Sequence, residues 1–286
     1  MKKKILLIFI LLIFCKGLSA QVTYAVDDPG MFLLLYKNIS DFNTLDTSFL
    51  NVTYKLDYIE DPAVRDVKTD LMVLQIGNRY SKFFSLNLHR NDSVCTIISK
   101  MTMNVPLNTG TEKGYEIFRN LSTGNLTVTN RIPFSQKVFR YEEKYETIKW
   151  TFEKGRDTIL GYACNRATAD FRGRHYTAWY TTGIPSQLGP WKFSGLPGLI
   201  LKVCDDKNEY VFECTGLSQQ PEPIVRYDWK YQDVPKRKWM DFEKYVYTNA
   251  GKYIKSTGVN IVLCSSNSKP HEISITWALP YNPIER

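Results

Sequence analysis

The chain has 286 residues, 43% of them hydrophobic, which is enough to bury a core without help from metals or disulfides. Its formal charge of +8 includes Lys2, Lys3, Lys4 and Lys16, so residues 21–286 carry only +4. No dense Lys/Arg block stands among them, which excludes a nucleic-acid interface.

The first element is Lys2-Lys3-Lys4, the unbroken apolar run 5–14 and Leu18-Ser19-Ala20. This is the form of a secretory signal peptide with cleavage after Ala20, so the expected domain is residues 21–286. The run is too short to span a bilayer, and no later run is apolar enough, so no transmembrane segment is expected after cleavage. Phe14 is too large for the position before a lipidated Cys15. Cys95, Cys164, Cys204, Cys214 and Cys264 remain, an odd number. At least one thiol is therefore free or pairs between molecules, and the pairing of the others stays open.

Further along, the period is two. Residues 49–58 read FLNVTYKLDY, with Val52, Tyr54, Leu56 and Tyr58 on one face. Runs 71–76 and 80–88 follow, then 115–119 and 126–132 around a Ser122-Thr123-Gly124-Asn125 turn. Next come 139–142, 148–152 and 158–168, with Lys154-Gly155-Arg156-Asp157 as a turn, and then 171–180 and 199–216. A two-residue turn at Lys207-Asn208 would place Cys204 and Cys214 on opposite faces; a three-residue turn would leave them out of register. Neither suits a disulfide. Run 31–36 reads as a strand or one helical turn. Residues 236–255 carry Trp239, Phe242, Val246 and Ala250 near helical spacing. The expected fold is all-β or β-dominated: a single large, mostly antiparallel curved sheet or half-barrel, with one C-terminal helix near residues 236–255. Open sheet and closed barrel both fit.

Residues 189–200, GPWKFSGLPGLI, concentrate glycine, proline and aromatic side chains. Leu196-Pro197-Gly198-Leu199 predicts a type II turn, with proline fixing φ at its second position and glycine taking positive φ at its third. Trp191 and Phe193 alternate with Lys192, so both rings point one way. They are either core anchors of a rigid corner or the aromatic wall of a ligand cleft.

Residues 195–200 (Gly195, Leu196, Pro197, Gly198, Leu199 and Ile200) spell the signature of the GLPGLI family, exported Bacteroidetes proteins of unestablished biochemical function, which this chain resembles. Further blocks carry the resemblance: MVLQIGNRYSKFF at 72–84; Gly161-Tyr162, Cys164 and Ala167; Phe171-Arg172-Gly173-Arg174; Ala178-Trp179-Tyr180; Ile184-Pro185; and Tyr281-Asn282-Pro283-Ile284-Glu285. Together they span most of residues 70–286. The resemblance implies a periplasmic or outer-membrane-associated protein linked to outer-membrane transport, with an envelope or outer-membrane protein as partner. It carries over no catalytic residues.

His89, His175 and His271 are isolated, and no Cys-x-x-Cys or His-x-x-x-His spacing predicts a metal site. Neither a nucleophile elbow nor a phosphate-binding glycine loop is present, so no cofactor and no catalytic residue is expected. A Cys164/His175 pair is the one thiol–base arrangement to consider. Asp92-Ser93-Val94 and Asp157-Thr158-Ile159, in predicted turns or strand starts, fit an O-glycosylation pattern. The best polar pair is Arg172 and Arg174, two apart on a predicted strand, with both guanidinium groups on one side. Trp179, Trp191 and Lys192 complete the candidate binding set, for a carboxylate or phosphate. The bland alternative is that the arginines pair with Asp170 or Glu213. The expected function is that of an exported envelope accessory protein without enzymatic activity, binding a partner or ligand. The alternatives are a hydrophobic-ligand carrier and a hydrolase or thiol-dependent enzyme.

Overall fold

The computed structural model describes residues 23–26, 34, 36–99, 112–133, 135–257, 260–263, 271–272 and 274–286. The expected signal peptide, Cys15, Cys264 and most of run 31–36 lie outside them. The chain runs β1 (Thr23–Val26), β2 (Phe42–Ile59), β3 (Val67–Gly77), β4 (Tyr80–Ser85), α1 (Leu86–Ile98), β5 (Tyr115–Asn120), β6 (Asn125–Arg131) and β7 (Val138–Lys144). It continues through β8 (Thr151–Ile159), β9 (Tyr162–Phe171), β10 (Arg174–Thr181), β11 (Leu199–Asp205), β12 (Tyr210–Ser218), β13 (Pro223–Tyr227) and β14 (Tyr231–Asp233). Helices α2 (Lys236–Thr248) and α3 (Ala250–Ser256) precede β15 (Asn260–Leu263) and β16 (His271–Glu272).

Thirteen strands form one open sheet, ordered β14-β7-β6-β5-β4-β3-β2-β12-β11-β10-β9-β8, with β13 beside the first half of β2. Within this sheet every pairing is antiparallel except β14 with β7. The sheet does not close into a barrel. A separate three-stranded sheet joins β1, β15 and β16.

Alternation is strictest in β2, which buries Val52, Tyr54, Leu56 and Tyr58 almost completely. Their inward face continues through Met72 and Leu74 of β3, Phe83 of β4 and Phe212 of β12. Phe193, fully buried, is the hub of this core. Its ring lies 4.7 Å from Tyr176, 5.2 Å from Trp191, 5.9 Å from Phe171 and 6.4 Å from Phe212. Truncating such a ring costs about 3–5 kcal/mol. Helix α2 packs on β7 through Trp239 and Phe242, each 5.2 Å from Phe139.

Several local expectations are corrected. Lys154-Gly155-Arg156-Asp157 is no turn: β8 runs through it with a register shift at positive-φ Gly155, and the chain reverses at Leu160-Gly161 (φ 49° and 81°). Run 80–88 is a strand only to Ser85, whose Oγ accepts from Leu88 N at 3.1 Å and starts α1. Asp92 is therefore buried inside a helix, ion-paired to Arg131, rather than in a turn. The expected helix 236–255 breaks at Asn249, where φ is −133°. Beyond the break, the 274–277 segment crosses so closely that a Cβ on Gly251 would sit 2.1 Å from Ser274 O.

Candidate functional site

Arg172 and Arg174 do not sit on one strand face. Arg172-Gly173 is a two-residue hairpin turn with φ of 48° and 83°, and β10 begins at Arg174. The turn nevertheless delivers both guanidinium groups to the segment 280–286. Arg174 donates to Asp205 Oδ2 at 2.6 Å, Glu209 Oε2 at 2.6 Å, Asn282 Oδ1 at 2.6 Å and Pro283 O at 2.8 Å. Arg172 donates to Glu143 at 3.0 Å and to Glu285, and its carbonyl accepts from Arg286 N at 3.0 Å. Asp170 and Glu213 are not the partners; they pair instead with His175 and Lys202. Tyr210 Oη donates to Asn282 O at 2.5 Å and Tyr176 Oη to Ile284 O at 3.3 Å, completing the grip.

Lys192 lies in the same network. It is 2% exposed, and its ammonium meets Glu143 at 2.6 Å, Glu285 at 2.8 Å and Tyr141 Oη at 3.2 Å. Lys236 of α2 reaches the same two carboxylates. Burial pushes the Glu143 carboxyl up, but Lys192, Lys236 and Arg172 outweigh it and hold it down at about 2. Trp191 is buried, 5.3 Å from the Lys192 ammonium. Trp179 is not brought in: with His175 and Thr177 it alternates against the inward Arg174, Tyr176 and Ala178, and its ring faces Lys202 at 5.6 Å.

The Gly/Pro corner holds Lys192 in place by a different turn from the one expected. Gly198 N donates to Leu196 O at 2.8 Å, closing a three-residue turn about Pro197, while Leu199 N donates to Ile184 O at 3.3 Å. Type II geometry would need Leu199 N on Leu196 O. The corner is tied down by Arg119, which donates to Ser194 Oγ and Lys192 O, and by Trp150 Nε1 on Ser194 O.

Beneath the 280–286 segment lies a cavity of about 120 Å³. Its walls include Trp191, Trp239, Tyr141 and Tyr210, and Lys113, Tyr115, Asn130 and Glu243 also line it. The Lys113 ammonium stands 3.3 Å from the Tyr58 ring centroid; burial lowers it to about 8. Glu243 accepts from Tyr281 Oη at 3.3 Å, and burial raises its carboxyl to about 7. Tyr115 Oη and Asn130 Nδ2 are buried and lack hydrogen-bond partners among the described residues. Tyr115 and Asn130 face each other across β5 and β6.

None of these four was singled out from sequence. One signal existed for Glu243: it lies four residues after Trp239 and three before Val246, a carboxylate on the apolar stripe of the helix. Lys113, Tyr115 and Asn130 carry no local motif. Cys164 and His175 are not brought together: Cys164 is buried at the far end of the β9–β10 pair, bonded to Tyr162 O, while His175 is exposed beside Asp170. Among the described residues, no group of three His, Cys, Asp or Glu is placed to hold a metal.

No curated protein matches the sequence. Two crystal structures of PNGF-II, in different crystal forms, are similar over 71% of this chain, with a TM-score of 0.47 and 13% and 12% identity. The match covers 34% and 33% of PNGF-II, so the chain spans about a third of its length. A family model described as "Protein of unknown function (Porph_ging)", of a family found in Bacteroidetes, matches residues 172–202, from the Arg172-Gly173 turn into β11.

Proposed function

We propose that the protein is an exported, non-enzymatic envelope accessory protein, a single domain over residues 21–286, that binds a small ligand in the cavity beneath segment 280–286. The observation that carries this reading is the cavity itself, with two buried polar atoms on its wall that have no partner among the described residues. Such atoms cost about 1–3 kcal/mol each unless something satisfies them, and they mark a site that expects an occupant. Export rests on the signal-peptide pattern, and a periplasmic or outer-membrane-associated location on the GLPGLI resemblance. Arg172, Arg174 and Lys192 serve as the clamp that closes the site through the chain's own 282–286 segment, and Trp191 as part of its wall.

A hydrophobic-ligand carrier fits less well, because this cavity is small and lined by Lys113 and Glu243. The test is native mass spectrometry of protein purified from its own envelope, beside Asn130→Phe, which fills the cavity with a ring. A small non-covalent adduct on the wild type, lost in a variant of unchanged fold, is the expected result. Equal spectra from the two would overturn the reading.

A further inference from the structure

The cavity wall carries charges of both signs, Glu60, Glu112, Arg131, Lys192 and Glu285 among them, and Lys113 and Glu243 make no ion pair among the described residues. The Lys113 ammonium stands over the Tyr58 ring, and the Glu60 and Asp70 carboxylates act on it from beyond ion-pair distance. Asn130 Nδ2 can only donate, and Tyr115 Oη can donate; neither has a partner among the described residues. These three groups come from the residues leading into β5, from its first residue and from β6 beside it. Glu243 stands on α2, which packs over that sheet at β7. It accepts one hydroxyl, from Tyr281, and no cation pairs with it among the described residues. The arrangement is unlike the neighbouring Glu143–Lys192–Glu285–Lys236 network, where each charge is neutralised by an opposite one. Lys113 and Glu243 line this one cavity without an ion pair between them.

Resting on the cavity reading, we propose that the ligand is a small zwitterion, an α-amino acid: its carboxylate takes Lys113, Tyr115 and Asn130, and its ammonium takes Glu243. Three donors match a carboxylate, which accepts through about four lone-pair sites. One carboxylate beside aromatic rings matches an ammonium, which gains from ring faces as well as from the ion pair. Size agrees. A cavity of roughly 150 Å³ holds benzene, so about 120 Å³ suits a molecule of similarly few heavy atoms. Each half of a zwitterion satisfies one side of the cavity, whereas a simple anion or cation leaves the opposite wall group unpaired in a buried site.

Isothermal titration calorimetry of the purified protein with L-alanine, propionate and ethylamine tests this, since the last two are the halves of the first. L-alanine is expected to bind at least tenfold tighter than either. Lys113→Met should abolish its advantage over ethylamine, and Glu243→Gln its advantage over propionate. The wild-type comparison alone decides the matter should a variant fail to fold. Propionate or ethylamine binding as tightly as L-alanine overturns the zwitterion, and so does the absence of binding by all three. Where all three fail but the native adduct persists on the wild type and is lost in Asn130→Phe, the amino-acid assignment falls and the cavity function stands. Where the adduct is absent too, both fall.

Discussion

Arg174 donates to the carbonyl oxygen of Pro283 at 2.8 Å, tying the first residue of β10 to a segment more than a hundred positions away. The same guanidinium pairs with Asp205 and with Glu209, so one side chain secures both the sheet and the cover of the cavity.

Among the described residues, Arg174→Ala removes the only basic partner of Asp205 and one of two for Glu209, leaving buried negative charge. Breaking such a pair from one side costs about 3–5 kcal/mol. Urea unfolding should show that loss. Hydrogen exchange should show residues 280–286 opening faster than the β2–β3 core. Protection at 280–286 equal to wild type would mean that Tyr176 and Tyr210 suffice to hold the segment.

The two signature glycines should differ in sensitivity. A Cβ on Gly198 would stand 2.0 Å from Thr181 O, where φ is also 154°, so backbone must move. Gly198→Ala should cost roughly 2–4 kcal/mol. Gly195 also has positive φ (94°), but a Cβ there meets nothing nearer than 3.5 Å, so Gly195→Ala should cost about 1 kcal/mol. Denaturant midpoints of both variants check the ranking, and equal midpoints would contradict the close approach at Gly198.

This difference shows what sequence could and could not give. The strand pattern of residues 49–58 was readable, because period two is a local signal, whereas 171–180 read as one strand hides the Arg172-Gly173 turn, and the faces of Cys204 and Cys214 were fixed only by the turn length that the β11–β12 register reveals. Gly198 was readable as a special position, but not as a backbone crossing against Thr181, which depends on a distant strand. Helix α1 was missed because its apolar residues show no helical stripe. The arginine pair was noticed, yet its partners come from β7, β11, the β11–β12 turn and segment 282–285, none of which its own neighbourhood announces. Lys113 and Glu243 lie 130 positions apart and become one site only when α2 packs over the sheet.

The acid side of the stability profile should follow the Lys192 network. Glu143 is held at about 2, against 4.5 ordinarily, by Lys192, Lys236 and Arg172, and Glu285 is lowered in the same sense. A depressed carboxyl gives stability that is full above about 4.5 and is lost as pH falls toward 2, on the order of 2–3 kcal/mol for Glu143. Glu243 works oppositely. Raised to about 7, it favours the folded state below about 4.5 and loses that contribution as pH rises through 7. Melting temperatures from pH 3 to pH 8 should therefore fall at both ends. Glu143→Gln should flatten the acid limb and Glu243→Gln the neutral limb, and a Glu243→Gln profile parallel to wild type would show that this carboxyl is not raised.

Tyr115→Phe separates an empty cavity from an occupied one. Its hydroxyl is buried and has no partner among the described residues, so in ligand-free protein its removal relieves a desolvation cost and should leave stability unchanged or raise it by up to about 1 kcal/mol. Most buried tyrosines here behave otherwise: Tyr210→Phe forfeits the 2.5 Å bond to Asn282 O and should destabilise by about 1 kcal/mol or more. With ligand present, the sign for Tyr115 reverses, because the hydroxyl then has a partner to lose. Melting curves of Tyr115→Phe and wild type, with and without saturating L-alanine, should therefore cross: the variant at least as stable alone, and the wild type more stable when loaded. Destabilisation of the variant in the absence of any ligand would mean that the hydroxyl is already satisfied within the fold.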